Sequence, residues 1–107
     1  DITPVLCVDT EYLDEQFGLI SKEDLAKCVV AYEPISAIGS GNNADVGMVR
    51  EVVEKVKRLA GDVRVLYGGS VDEFNVNEYF LVTDGVLIGG ASLNVEQFIK
   101  VLEAVSN

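Results

Sequence analysis

Short apolar runs alternate with longer amphipathic stretches along this chain, and the alternation divides it into four strand–helix units, the pattern of a parallel sheet. Ile2 to Val8 is the first predicted strand. A polar segment, Asp9 to Gly18, leads to a short helix over Lys22–Lys27, opened by Ser21 with Asp24 in a capping-box spacing. Cys28 to Tyr32 is a compact, partly β-branched run that reads as a strand buried on both faces, and Pro34 stops it. A helix follows from about Val46 to Ala60, with Val46, Val49, Val53, Val56 and Leu59 or Ala60 on one stripe. Glu51 with Lys55 and Glu54 with Arg58 form favourable i,i+4 pairs on its other face. Val63–Tyr67 is the third predicted strand, and a short helix near Phe74–Phe80 follows it. Asp84–Ile88 is the fourth, leading to a last helix capped by Asn94, with Val95, Phe98, Ile99, Leu102 and Val105 along one face.

Four consecutive parallel strands with outer helices make half of an eight-stranded barrel, and both edge strands then carry unpaired backbone groups that something must cover. The whole of 1–107 reads as one such unit, without linker or low-complexity tract. A doubly wound sheet is the alternative, but it requires connections that switch faces, and nothing in the pattern marks a switch point.

Composition narrows the function classes. The 107 residues are 49% hydrophobic and 24% charged, ordinary for a globular protein. No apolar run approaches the roughly 20 residues of a membrane helix, and the Asp1-Ile2-Thr3-Pro4 start has no signal pattern, so a cytoplasmic location is expected without a membrane partner. A net charge of −10 argues against nucleic acid, whose phosphates are bound through clustered Lys and Arg. A small phosphate ligand stays open, because backbone N–H groups can hold it. Cys7 and Cys28 each sit in an apolar run and read as small hydrophobes. The absence of His removes the commonest acid–base residue and most metal and triad arrangements, so no metal or other cofactor is expected.

The chemistry concentrates where the second strand ends. Glu33 closes the apolar run and opens the loop Pro34–Gly41, so the carboxylate sits half sunk in an apolar rim beside a glycine-punctuated segment. That placement suits a general base covered when substrate arrives; the plainer alternative is a solvated strand-end Glu. In parallel sheets the loops at the strands' C-terminal ends build the site. Three of these four join Gly to a small hydroxyl residue: Gly39-Ser40-Gly41, Gly68-Gly69-Ser70 and Gly89-Gly90-Ala91-Ser92. Glycine lets backbone approach an anion closely, so a phosphate can sit where the loops converge.

Ala31-Tyr32-Glu33-Pro34, Ala37-Ile38-Gly39-Ser40-Gly41, Leu66-Tyr67-Gly68-Gly69-Ser70-Val71 and Asp84-Gly85 followed by Leu87-Ile88-Gly89-Gly90-Ala91-Ser92-Leu93 stand in one order that resembles the triosephosphate isomerase family over essentially the whole chain. The resemblance implies an α/β fold, the C-terminal half of a (β/α)8 barrel, contributing strands five to eight with their helices. It implies that Glu33 is the base that moves a proton between C1 and C2 of dihydroxyacetone phosphate and glyceraldehyde 3-phosphate, a step of glycolysis and gluconeogenesis. Pro34 to Ala44 would be the lid. The N–H groups of Gly39, Ser70 and Gly90, with Gly89 beside them, would grip the phosphate. Ile38 and Leu87 would wall the base off from water and strengthen it, while Tyr67 and Ser70 would hold the closed lid by hydrogen bonds toward Ala44 and Gly41. Read from the residues alone, Ile38 and Leu87 are equally ordinary core and Tyr67 a strand-end aromatic with a solvated hydroxyl.

The resemblance also implies what is missing. The family's Lys and His belong to the N-terminal half of the barrel, so this piece alone is expected to be inactive and to need that half as a partner. Where the family has Gly-Glu after the first Cys, a Trp in the first lid hinge and a basic residue after the lid glycines, this chain has Asp9-Thr10, Ser36 and Asn42. Between Val8 and Val29 there is room for only a short helix. Two other readings fit the same loops: a half-barrel that binds a phosphorylated metabolite, or pairs with itself as a homodimer without catalysis, and a different phosphate-binding barrel enzyme, which the Tyr-Glu-Pro strand end disfavours.

Overall fold

The computed structural model describes residues 1–37 and 41–106. Strands β1 (Val5–Val8), β2 (Val29–Tyr32), β3 (Val65–Gly69) and β4 (Gly85–Ile88) lie side by side in chain order, and every neighbouring pair is parallel. The helices are α1 (Leu13–Gly18), α2 (Lys22–Leu25), α3 (Val46–Ala60), α4 (Val76–Phe80) and α5 (Val95–Val105). Single 3-10 turns stand at Thr10–Tyr12, Ile35–Ala37 and Gly90–Ser92.

The register sorts the strand residues into two faces. It aligns Leu6 with Val30 and Val30 with Val65, then Val8 with Tyr32 and Tyr32 with Tyr67. These side chains join one core with Leu13 and Phe17 of α1, Leu25 of α2, the α3 valines, Val76 and Tyr79 of α4 and Val101 of α5. Because side chains alternate along a strand, the intervening residues face the other way. There Val5 is 51% and Leu87 39% exposed, and Cys7 is exposed too. Helices cover one face only, as in a barrel segment and not in a doubly wound sheet.

α3 anchors the helical layer. Asp45 caps it by accepting from the Gly47 and Met48 N–H groups, and Gly61 ends it at a positive φ of 84°. Val49, Val52, Val53, Val56 and Ala60 are buried, and each fully buried valine contributes about 1.5–3 kcal/mol. Lys55 pairs across to Asp14 of α1 at 3.0 Å and Lys57 reaches Asp84 at 2.9 Å, so these lysines serve tertiary contacts.

Several expectations shift. β1 starts at Val5, because Pro4 has no N–H and joins the ladder only through its carbonyl, which accepts from Val29 at 3.0 Å. β3 runs through Gly68 and Gly69, since β4 pairs with them as Leu87 and Ile88. The crossover from β1 to β2 holds two helices instead of one; Leu13 and Phe17, four apart, bury the face of α1. On α5 much of the expected stripe is turned outward: Val95, Ile99 and Leu102 are exposed, while Val105 packs on the core as expected, together with Val101 and Ala104. Both expected caps are present, Ser21 accepting from Asp24 N–H and Asn94 from Gln97 N–H. Among the described residues no helix is long and apolar enough to cross a membrane.

Candidate active site

Glu33 follows β2 directly, and its N–H donates to the Val8 carbonyl at 3.0 Å, so the ladder fixes its backbone. Its side chain is half-buried and crosses onto β3. A Cβ at Gly68 would stand 2.8 Å from Glu33 Cγ and 2.9 Å from Oε1, and only glycine leaves that space. The carboxylate lines a cavity of about 420 Å³ at the strands' C-terminal ends, together with Gly69, Ser70, Leu87, Gly89 and Gly90. Nothing lies within 4 Å of where a side chain at Gly89 or Gly90 would begin, so both backbones are open to close approach. Leu87, with its partial exposure, is a wall of this cavity and not sealed core.

Among the described residues neither Lys nor Arg lines the cavity, and its carboxylates are Glu33 and Asp72. Asp72 is turned toward its own loop, its Oδ1 accepting from Phe74 N–H at 2.8 Å and Asn75 N–H at 3.1 Å. Cys7, on the open sheet face, is a neighbour of Glu33 that the sequence reading assigned only to packing. Partial desolvation raises its thiol pKa most, followed by a hydrogen bond to Glu33 and that group's negative charge. Since Cys7 is exposed as a residue, the nearness of the carboxylate is the part that bears on the site. Its register with Ala31, two residues before Glu33, is the signal that would have found it.

The segment after Glu33 is tied down at both ends. Pro34 is buried and its carbonyl accepts from Ala37 N–H at 2.8 Å. Asp9 Oδ2 accepts from Ile35 N–H at 3.1 Å, so the first turn is held from the end of β1. The Ser70 hydroxyl donates to the Ala37 carbonyl at 3.1 Å and accepts from Gly41 N–H at 3.0 Å. Gly41 has a φ of 77°, a left-handed conformation that disfavours any side chain. Ile38 and Gly39, both expected in the site, lie outside the described residues.

Further on, Ala44 is gripped at both backbone groups. Its N–H donates to the Tyr67 hydroxyl at 3.1 Å, and its carbonyl accepts from the Tyr79 hydroxyl at 2.7 Å. The two rings stack, with centroids 4.1 Å apart. Tyr67 is thus fully buried with a bonded hydroxyl, not solvated. Asn43 completes the cluster: its Oδ1 accepts from Ser70 N–H at 2.8 Å and from the Tyr67 hydroxyl at 3.2 Å, and its Nδ2 donates to the Ser70 carbonyl at 2.8 Å. Ser70 N–H, expected to grip phosphate, is therefore engaged by a side chain. Sequence reading missed Asn43 and Tyr79, because neither stands in a recognisable motif.

Among the described residues no group of three His, Cys, Asp or Glu is placed to hold a metal ion. The arrangement offers a carboxylate and backbone amides, which suits proton transfer on a small anion.

The family model described as triosephosphate isomerase matches residues 1–105. Among similar proteins, the triosephosphate isomerase of Mesomycoplasma hyopneumoniae (strain 7448) is 40% identical over 119 residues, covering 95% of this chain and 48% of that protein. The triosephosphate isomerase of Streptococcus mutans is 38% identical over 130 residues, covering 97% and 52%, and that of Rhodococcus jostii is 37% identical over 123 residues, covering 91% and 47%. The chain spans about half the length of these curated relatives. Four parallel strands with helices on one face, and a family match over nearly every residue, place this chain in the triosephosphate isomerase family.

Proposed function

We propose that this chain is the C-terminal half of a triosephosphate isomerase barrel, with Glu33 as the base that interconverts dihydroxyacetone phosphate and glyceraldehyde 3-phosphate in cytoplasmic glycolysis and gluconeogenesis. The observation that carries the reading is the Glu33 side chain lying over Gly68, at the mouth of a cavity bordered by Ser70, Gly89 and Gly90. The carboxylate takes a proton from C1 of the ketose as the electron pair moves toward the carbonyl oxygen, and returns it to C2 of the resulting enediolate while a proton passes from the C1 hydroxyl to the C2 oxygen, leaving the aldehyde at C1. Backbone N–H groups of Gly89 and Gly90 hold the phosphate, and Leu87 excludes water from the carboxylate side. Gly39 N–H and Ile38 belong to the same proposal.

The enediolate's negative charge needs donors that this chain lacks, since it has no His and, among the described residues, no cation lines the cavity. Loss of one such donor typically lowers the rate about 100- to 1,000-fold. The chain alone is therefore inactive, and an N-terminal half supplies the Lys and His. Isomerisation of glyceraldehyde 3-phosphate is measured for the chain alone and mixed with a matching N-terminal half. Activity confined to the mixture and lost in Glu33→Gln is expected; a folded complex without activity overturns the mechanism.

The exposed sheet face, with Val5, Cys7 and Leu87, favours a second reading. A two-fold axis along the strands would place β4 of one copy beside β1 of another, closing a non-catalytic homodimer. Sedimentation of the chain alone distinguishes the readings.

A further inference from the structure

Ser70 N–H is one of the donors that the proposed anion site needs, yet Asn43 Oδ1 holds it at 2.8 Å. We propose that Asn43 is an internal competitor for the anion: its amide oxygen stands in for a phosphate oxygen at Ser70 and must be released for binding there. The inference rests on the phosphate reading and adds to it a residue that sets which ligands can complete the site.

The network makes the exchange inexpensive. Once Ser70 N–H is given up, Asn43 Oδ1 keeps the Tyr67 hydroxyl at 3.2 Å, and Nδ2 keeps the Ser70 carbonyl at 2.8 Å. No polar atom of Asn43 is orphaned. The Ser70 carbonyl has a second donor, Asn75 Nδ2 at 3.0 Å, so it stays satisfied even when Asn43 is truncated. One neutral hydrogen bond is thus traded for one to a charged oxygen, and charge-assisted bonds are roughly twice as strong. A phosphate oxygen wins that exchange. A neutral carbonyl or hydroxyl of similar reach does not, because it replaces like with like. Asn43 therefore selects for anionic ligands in a cavity that, among the described residues, no Lys or Arg lines.

The test is a titration of the ¹⁵N-labelled 107-residue chain with inorganic phosphate, followed at the Ser70, Gly89 and Gly90 amides and the Asn43 side-chain amide. Ser70 and Asn43 are expected to respond together, at the same midpoint as Gly89 and Gly90. In Asn43→Ala phosphate binds roughly 2- to 10-fold more tightly, the ratio that corresponds to one net hydrogen bond, while the melting temperature falls. A residue with only a structural role would not tighten binding as it loses stability. Asn43→Asp keeps an acceptor for Ser70 and adds like charge, so it binds more weakly than the native chain. Response at Gly89 and Gly90 with Ser70 and Asn43 unmoved overturns the competition and leaves the anion site standing. No response at any amide overturns both. The native-chain resonances decide the matter even where a variant folds poorly.

Discussion

Glu33 rests on Gly68: the carboxylate side chain occupies the space where a Cβ on the neighbouring strand would stand, 2.8 Å from its Cγ. Gly68 has an ordinary strand conformation and pairs with Leu87, so alanine fits its backbone and disturbs only the side chain above it. Gly68→Ala should displace Glu33 by about 1 Å, and such misplacement costs up to ~100-fold in rate. In the complex with an N-terminal half, kcat/KM is expected to fall about 10- to 100-fold with little change in melting temperature. Unchanged kcat/KM would mean that Gly68 does not set the position of Glu33 for the proposed reaction.

Asp9 joins β1 to the turn after Glu33 through a charge-assisted hydrogen bond in which its Oδ2 accepts from Ile35 N–H. Asp9→Ala should destabilise the chain by about 0.5–1.5 kcal/mol, and Asp9→Asn, which retains an acceptor, by less. Urea unfolding of the two variants tests the order, and equal losses would mean that the contact is made only weakly.

Tyr79 has its pKa raised, first by burial and then by the neighbouring Tyr67 hydroxyl. Tyr32 is shifted the same way, again first by burial. A folded pKa above the unfolded one means that the native state holds its proton more tightly. The stability so gained is complete below the ordinary tyrosine value of 10.0 and is lost as pH rises above it. Melting temperature should therefore decline above about pH 10, and less steeply in Tyr79→Phe. At neutral pH that variant loses the bond to Ala44 and about 0.5–1.5 kcal/mol.

Asp84 shows the opposite sign. Burial alone would raise its pKa, but the Val65 N–H and the Lys57 ammonium outweigh burial and lower it. The contacts are 2.8 and 2.9 Å long. Stability from this group is complete above its unfolded value of 3.8 and fades as pH falls through the lower folded value. Asp84→Asn is expected to flatten the acid limb of the stability curve and to cost about 1 kcal/mol at pH 7, mostly through Val65, since the half-exposed Lys57 pair is screened. An acid limb identical to that of the native chain would exclude Asp84 as its source.

The parallel strand–helix plan was legible because buried strands and the α3 stripe repeat at different periods, and Glu33 because Pro34 marks the end of its strand. What was not legible depends on tertiary partners. The α5 stripe Val95–Ile99–Leu102 satisfies helical periodicity as well as the buried set does, and only packing against α4 decides between them. Tyr79 looks like any amphipathic aromatic until Ala44, 35 residues earlier, comes within 2.7 Å. Asn43 was hidden for a related reason: an amide side chain in a loop reads as turn chemistry, and its role depends on where the β3 loop passes.

Within the described residues β1 and β4 stand at the sheet's edges and the uncovered face carries the exposed Val5 and Leu87, so copies of this chain can meet along those margins. What keeps copies apart at a distance is the net charge of −10. That repulsion reaches about 10 Å at 0.1 M salt and only about 3 Å at 1 M. Association of copies through these margins is therefore expected to grow with ionic strength, as added salt shortens the reach of that repulsion.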